Sequence, residues 1–375
     1  MRQDWRKKVA VIGVGTTRQG LHPGRTSHQL GVDALKMALA DAGIAKSRLD
    51  GIVTAKQLDG TGIDPMQFSR EIGLNPNVTA ALDYATGGFS TQHAAMLIAQ
   101  GICSVVACVF GRNPRGAMVE LSGAAAYDLD HGYVSAHAAF AMGWTRYLSR
   151  HRVPEETLGH VLIQQRENAA LNPIAAWPEP ITMQQYLADP YVLWPFRELD
   201  LSRVSAGGVA LILASGEIAR DLEKPPVYLR AVGRRQAARL WDNDDHLLCG
   251  TMRDVAEVVY GEAGVTPADI DVLVTSDACT AHFVHTLENY GFCEEGQAPE
   301  LLAAGETRIG GRIPVNPNGG QLGEGYLVGW LHHAELVRQL RGECGPRQVK
   351  GARIGQYTAT GRQREDFLAS IYVRD

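Results

Sequence analysis

The sequence predicts an α/β protein built from a duplicated unit, with a helical segment inserted in the first copy. Three observations carry this. The 375 residues, 45% of them apolar, suffice for two hydrophobic cores, in two domains or a duplicated one. A β-branched run from Val9 to Gly15 ends in glycine, as a buried strand feeding a loop does. One pattern also occurs twice: Asp33, Asp41, Ala42, Gly43, Asp50, Val53 and Thr54 correspond in order to Asp254, Glu262, Ala263, Gly264, Asp271, Val274 and Thr275. Each copy reads as a helix ending in acidic-Ala-Gly, an acidic turn and a strand. Chance recurrence is the alternative; a duplication would pack like halves about a pseudo-twofold axis.

The elements follow in order. From Ser27 to Ala42, Leu30, Ala34, Leu35, Met37, Ala38 and Ala42 recur near helical spacing, with Ser27 placed to cap the start and Gly43 the end. A strand is expected at Gly51 to Thr54. The stretch from Arg112 to Glu198 is rich in Ala, His, Tyr and Trp, holds a helical segment from Ala136 to Arg150 and ends in Trp194-Pro-Phe-Arg-Glu-Leu-Asp200, which lacks strand alternation. It reads as an inserted helical loop domain, 112–198. The strand Val209 to Ala214 returns to the first sheet. The first half is then 1–111 with 199–235, and the second half is 236–375.

Composition excludes several functions. A net charge of −5 with scattered Lys and Arg offers no basic stripe for a phosphate backbone, so nucleic acid is not expected. The start has no signal-peptide core, and no apolar run reaches membrane-span length. Six cysteines lie far apart without CxxC spacing, so neither a metal site nor disulfides are expected, and the reading is a cytoplasmic protein.

Chemistry in α/β folds gathers where glycine turns lead into helices beyond strand ends. Three such turns stand out: Tyr84-Ala-Thr-Gly87-Gly88, Asn316-Pro-Asn-Gly-Gly320 running on to Gly325-Tyr326, and Tyr357-Thr-Ala-Thr-Gly361. Each can present backbone N–H groups to an oxyanion, and each can equally be a structural loop.

Together with Val9-Ala-Val-Ile-Gly-Val-Gly-Thr-Thr17, Asp277-Ala-Cys-Thr280, Leu287-Glu-Asn-Tyr-Gly-Phe-Cys293 and Asn316-Pro-Asn-Gly-Gly-Gln-Leu322, these turns resemble the sterol-carrier, or lipid-transfer-protein, branch of the thiolases. The resemblance spans the whole chain. It implies the thiolase fold, two similar βαβαβαββ halves with an inserted helical loop domain, usually in a homodimer, and a coenzyme A thioester as substrate with no cofactor bound in the chain.

Where that family's nucleophilic cysteine stands, this sequence has Tyr84, and where its catalytic histidine stands it has Tyr326. A thiolate attacks a thioester because its pKa is lowered, whereas a phenol near 10 is a poor acyl carrier. Gln321 to Tyr326, Gln92 to Met96 and Val337 to Gly342 are similar to the thiolase-like aldolases that shorten steroid and bile-acid side chains.

That resemblance implies retro-aldol cleavage of a β-hydroxyacyl-CoA, with Tyr326 as a catalytic phenol and a small OB-fold, zinc-ribbon partner. Those aldolases carry a second tyrosine where this chain has Ser276, so another group must serve: Tyr84 first, Asp277 next. Gly87, Gly320, Gly325, Ser276, Cys279 and Gly361 are expected to line the substrate or oxyanion loops, with Cys279 a pocket-wall thiol. His93 reads as a core histidine, and His332 and His333 as solvent-facing or interfacial. The alternatives are a non-catalytic thiolase-like subunit that binds acyl-CoA or scaffolds a partner and, last, a thiolase-like acyltransferase.

Overall fold

An unbroken buried run from Val9 becomes β1 (Val9–Thr16), and the helical spacing after it becomes α1 (Ser27–Ala42). The computed structural model describes residues 5, 7–57, 60–83, 86–114, 136–237, 247–361 and 366–374. The cap of α1 is Thr26, not Ser27: Thr26 Oγ1 accepts from the Gln29 N–H and Gln29 Oε1 from the Thr26 N–H. This reciprocal box needs Gln or Glu three residues on, which Thr26 has and Ser27 lacks.

The first half continues with β2 (Gly51–Lys56), α2 (Pro65–Glu71), β3 (Val78–Asp83), α3 (Gly87–Ala99) and β4 (Val105–Arg112). The insertion contributes α4 (Ala136–Arg150), α5 (Thr157–Ala170) and α6 (Met183–Ala188). It closes with a small hairpin, β5 (Tyr191–Leu193) and β6 (Phe196–Arg197), whose strands are too short to show alternation. β7 (Gly207–Ser215) then pairs antiparallel with both β4 and β1, and α7 (Gly216–Arg220) leads out of it.

The second half runs β8 (Val227–Gln236), α8 (Thr251–Ala263), β9 (Val272–Thr275), α9 (Thr280–Asn289), α10 (Ala298–Ala303), α11 (Gly320–Gly323), α12 (Trp330–Arg341), β10 (Ile354–Gly361) and β11 (Asp366–Val373). The duplicated pattern holds down to individual hydrogen bonds. Gly43 and Gly264 both end their helices in the left-handed conformation. Asp50 accepts from the N–H groups of Ser104 and Val105 at the start of β4, and Asp271 does the same for Arg353 and Ile354 at the start of β10.

One departure from a strict βαβαβαββ repeat lies in the second half. Its third strand shrinks to a single parallel bridge, Leu273 to Val315. Pro314 and Pro317 flank it and cannot donate to a ladder.

The nine strands form one sheet in the order β3-β2-β4-β7-β1-β8-β11-β10-β9. Strand alternation divides the core. Val9, Val11 and Val14 face a cluster that includes Ala94 and Ala95 of α3, Trp330 and Leu336 of α12, and Leu229, Val274 and Tyr372 of the second half. Ala10 and Ile12 face α1 instead, while Leu273 and Ile371 face α8 and the insertion. The helices α3 and α12 are therefore clasped between the two halves of the sheet, covered on both sides.

Candidate functional site

The end of β9 and the turn before α11 are built as one unit. Asn316, with a φ of 47°, takes the place of the missing strand: its Oδ1 accepts from the Thr275 N–H at 2.7 Å and its Nδ2 donates to the Thr275 carbonyl at 3.0 Å. That fixes the next residues, Ser276 and Asp277, against the glycine turn. The Asp277 carboxylate is fully buried. Its Oδ1 accepts from the Gln321 N–H at 2.8 Å and pairs with His332 Nε2 at 3.1 Å. Ser276 Oγ accepts from Gln321 Nε2 at 3.1 Å. Gly320, with a φ of 61°, lies so close beneath Asp277 that an added Cβ would stand 2.0 Å from Oδ2.

Tyr326 follows α11 in a socket made by the first half. Its N–H donates to Ser205 Oγ at 2.8 Å, and its backbone bridges to Val204 in parallel register. The buried Arg112 guanidinium, at the end of β4, stands 5.0 Å from the ring centroid and donates to the Tyr326 carbonyl at 3.4 Å. The ring itself is half-buried. Gly325 brings the backbone against Ser205 and Gln19.

The start of α3 abuts the start of α12. A Cβ on Gly87 would lie 2.9 Å from the Trp330 Cα, and the Gly88 N–H donates to the Tyr357 hydroxyl at 3.2 Å. Gly361, ending β10, packs its backbone on Phe89 of α3. Tyr84 lies outside the described residues. Cys279 is fully buried immediately before α9, its backbone bridged to Leu201. Asp277, Ser276 and Gly320 thus meet in one cluster and Gly87 joins another, with the first turns of α12 between them.

The two histidines of α12 are a correction: both are fully buried, neither solvent-facing nor interfacial. A helix clasped on both sides buries its polar face too, so each imidazole has a specific partner. His332 meets Asp277, and His333 stacks on Tyr357 with ring centroids 3.7 Å apart while its Nε2 lies 3.0 Å from the Tyr372 hydroxyl. Burial, with His332 adding to it, pushes the His333 pKa down to about 3. His93 is half-buried rather than a full core residue.

Arg112, Ser205 and His332 carry no motif of their own, and only the tertiary fold brings them to Tyr326 and Asp277. Among the described residues no cluster of His, Cys, Asp or Glu is placed to hold a metal ion. A cavity of 270 Å³ beside α9, lined by Tyr147, His285, Glu288 and Cys293 among others, contains none of the expected site residues.

Glu324 belongs to the Gln321 to Tyr326 block singled out in the sequence, but no role was read for its carboxylate. The buried Glu324 carboxylate, two residues before Tyr326, accepts from Asn172 Nδ2 at 3.0 Å and from Asn318 Nδ2, tying the insertion to the Tyr326 turn. Burial, followed by the charge of Glu335, pushes its pKa up to about 7. An acid whose folded pKa is raised contributes stability that is complete below its unfolded pKa of about 4.3 and is lost as pH climbs through about 7. Glu324→Gln stays neutral throughout. Between pH 5 and pH 8 the wild-type chain should therefore lose on the order of 2 kcal/mol relative to the variant. Denaturant unfolding of both at the two pH values checks this; a constant difference would refute it.

The thiolase C-terminal domain-like family model matches residues 234–374. A steroid side-chain-cleaving aldolase of Thermomonospora curvata is 32% identical over 367 residues, spanning 89% of this chain and 90% of its own length. The chain belongs to the thiolase superfamily, in its thiolase-like aldolase branch. A 17-hydroxy-3-oxo-4-pregnene-20-carboxyl-CoA lyase of Mycobacterium tuberculosis is 31% identical, spanning 89% of this chain and 92% of itself. An acetyl-CoA acetyltransferase of Methanothermobacter thermautotrophicus is also 31% identical, over 98% and 100%. The solved Ltp2-ChsH2(DUF35) aldolase superposes with a TM-score of 0.90 at 30% identity, over 99% of both chains. Identity of this size falls on both chemistries of the superfamily, so its individual residues must choose between them in this member.

Proposed function

We propose that the chain is a carbon–carbon lyase that cleaves a β-hydroxyacyl-CoA with a bulky, steroid-like tail to a ketone and a shortened acyl-CoA. The observation that carries this is a phenol, Tyr326, anchored by Arg112 and Ser205 where a thiolase would hold histidine, with Tyr84 where it would hold cysteine. Four of the six thiols support it. Burial pushes Cys103 up to about 11 and Cys293 up to about 12, and raises Cys108 and Cys344 further, so none of these is poised as an acyl carrier.

Retro-aldol cleavage needs no acyl-enzyme. A base takes the β-hydroxyl proton, the O–H pair becomes the ketone C=O, the Cα–Cβ pair moves into the thioester as an enolate, and Cα is then protonated. Tyr326 serves as a phenolic proton donor in this scheme and Asp277 or Tyr84 as the base. Gly87, Gly320, Gly325 and Gly361 bring backbone close to the substrate, and Ser276 and Cys279 contribute to the wall. The halves keep the boundaries 1–111 with 199–235 and 236–375, around an insertion of 112–198.

The working assembly in this reading is a homodimeric core with a small OB-fold, zinc-ribbon partner, in the cytoplasm. The two-component aldolase that the fold matches supports a partner, and β3 at one edge of the sheet supports pairing of copies. Among the described residues no helix is long and apolar enough to cross a membrane.

Purified chain with its partner and a panel of β-hydroxyacyl-CoA thioesters should release ketone and shortened acyl-CoA, followed by chromatography, with no acylated cysteine by mass spectrometry. Absence of cleavage would favour a non-catalytic subunit, and an acylated cysteine would favour an acyltransferase.

A further inference from the structure

Three polar atoms on residues that touch one another are buried without hydrogen-bond partners: Asp277 Oδ2, His332 Nδ1 and Gln321 Oε1. Leaving such an atom unpaired costs about 1–3 kcal/mol, and three on touching residues call for a physical reason. The geometry around Asp277 is lopsided. Oδ1 takes both the Gln321 N–H at 2.8 Å and His332 Nε2 at 3.1 Å, while Oδ2 takes none and stands over the bare Cα of Gly320. A carboxylate oxygen accepts only from a protonated nitrogen, so the pairing sets His332 as the Nε2–H donor.

His332 comes from α12, which both halves of the sheet clasp, and Gln321 from the glycine turn. Asp277 is thus gripped from two elements by one oxygen, leaving the other uncommitted. This is how a rigidly held base is built: orientation is fixed through one oxygen, and the lone pairs of the other stay uncommitted.

We propose that His332 is a positioning residue. Through Oδ1 it holds Asp277 so that Oδ2 accepts the β-hydroxyl proton during Cα–Cβ cleavage. The proposal rests on the lyase reading above and assigns to Asp277 and His332 the work of the phenol that Ser276 replaces. The proton passes from the β-hydroxyl to Oδ2, and the carbon–carbon electron pair passes to the thioester. His332 keeps its own proton and supplies a hydrogen bond throughout.

The test uses the whole chain with its partner and a cleaved β-hydroxyacyl-CoA. His332→Leu removes the donor, and His332→Gln returns an N–H at a similar reach. The leucine variant should lose about 10²-fold in kcat with KM within about twofold, and the glutamine variant should recover to within about tenfold of wild type. Thermal melting confirms that both are folded. A folded leucine variant with wild-type kcat overturns the proposal. So does an equal loss in both variants, which would mark a purely structural histidine. If the leucine variant does not fold, the glutamine variant and Asp277→Asn decide: the proposal requires the first to be active and the second to be slowed at least as much as expected for His332→Leu. Wild-type chain that yields no ketone sinks the lyase reading together with this role, whereas wild-type turnover with an indifferent His332 sinks this role alone.

Discussion

Tyr326→Phe is expected to lower kcat for carbon–carbon cleavage by about 10²- to 10⁴-fold, the span typical for removing a positioned proton-transfer group. The substitution removes the hydroxyl and leaves the backbone and ring-face anchors of Tyr326 in place. Its N–H is held by Ser205, its carbonyl by Arg112, and its backbone by the bridge to Val204. The Arg112 guanidinium lies over the ring face, 5.0 Å from the centroid, and a phenylalanine ring keeps a face for it. With these anchors kept, the chain should stay folded, and its stability should move by no more than about the 1–2 kcal/mol of a single hydroxyl's interactions. Steady-state kinetics on one β-hydroxyacyl-CoA, with a thermal melt alongside, separates the outcomes. Undiminished kcat would remove Tyr326 from the chemistry, and a matching collapse of the melt would make the loss structural.

The parts of this architecture that a sequence can state locally were legible in it. The helix ended by Gly43 and its copy ended by Gly264 are encoded within a few residues, and so are the acidic turns at Asp50 and Asp271. The two glycine caps close on nearby backbone, whereas the Asp50 and Asp271 carboxylates reach backbone at the starts of β4 and β10, far along the chain; both recur because the unit is repeated. The limits of α1 were readable and its cap was not, since Thr26 and Ser27 differ only in what stands three residues on.

What could not be read depends on which faces are covered. Trp330-Leu-His-His-Ala-Glu-Leu-Val-Arg-Gln-Leu-Arg341 has the pattern of a helix with a wet side. It is clasped between two halves of a sheet, so His332, His333, Glu335 and Gln339 are all buried and each is matched by a group outside the helix: Asp277, Tyr372, Arg347 and the Arg347 carbonyl. The candidate site divides along the same line. Tyr326 and Asp277 were found by resemblance to family motifs, whereas Arg112, Ser205 and His332 act on them from other elements.

Gly320→Ala should be the most damaging small substitution in the glycine turn. The residue has a φ of 61°, a conformation that costs an L-residue roughly 1–2 kcal/mol. Its new methyl would also fall 2.0 Å from Asp277 Oδ2, 2.8 Å from Asp277 Cγ and 2.9 Å from Asn316 Nδ2. Asp277 could yield only by giving up the Gln321 N–H and His332, and Asn316 only by releasing Thr275 at the end of β9. Backbone strain plus broken buried bonds should destabilise the chain by about 3 kcal/mol or more and abolish cleavage even where it folds. Gly351→Ala is the matching control: its φ is 75°, and nothing lies within 4 Å of the added methyl, so it carries the strain without the collision. Denaturant unfolding of the two variants should therefore differ by at least about 2 kcal/mol, the cost of orphaned buried groups. Equal losses would mean that Asp277 moves aside freely, and a site built on a firmly held Asp277 would then have to be abandoned.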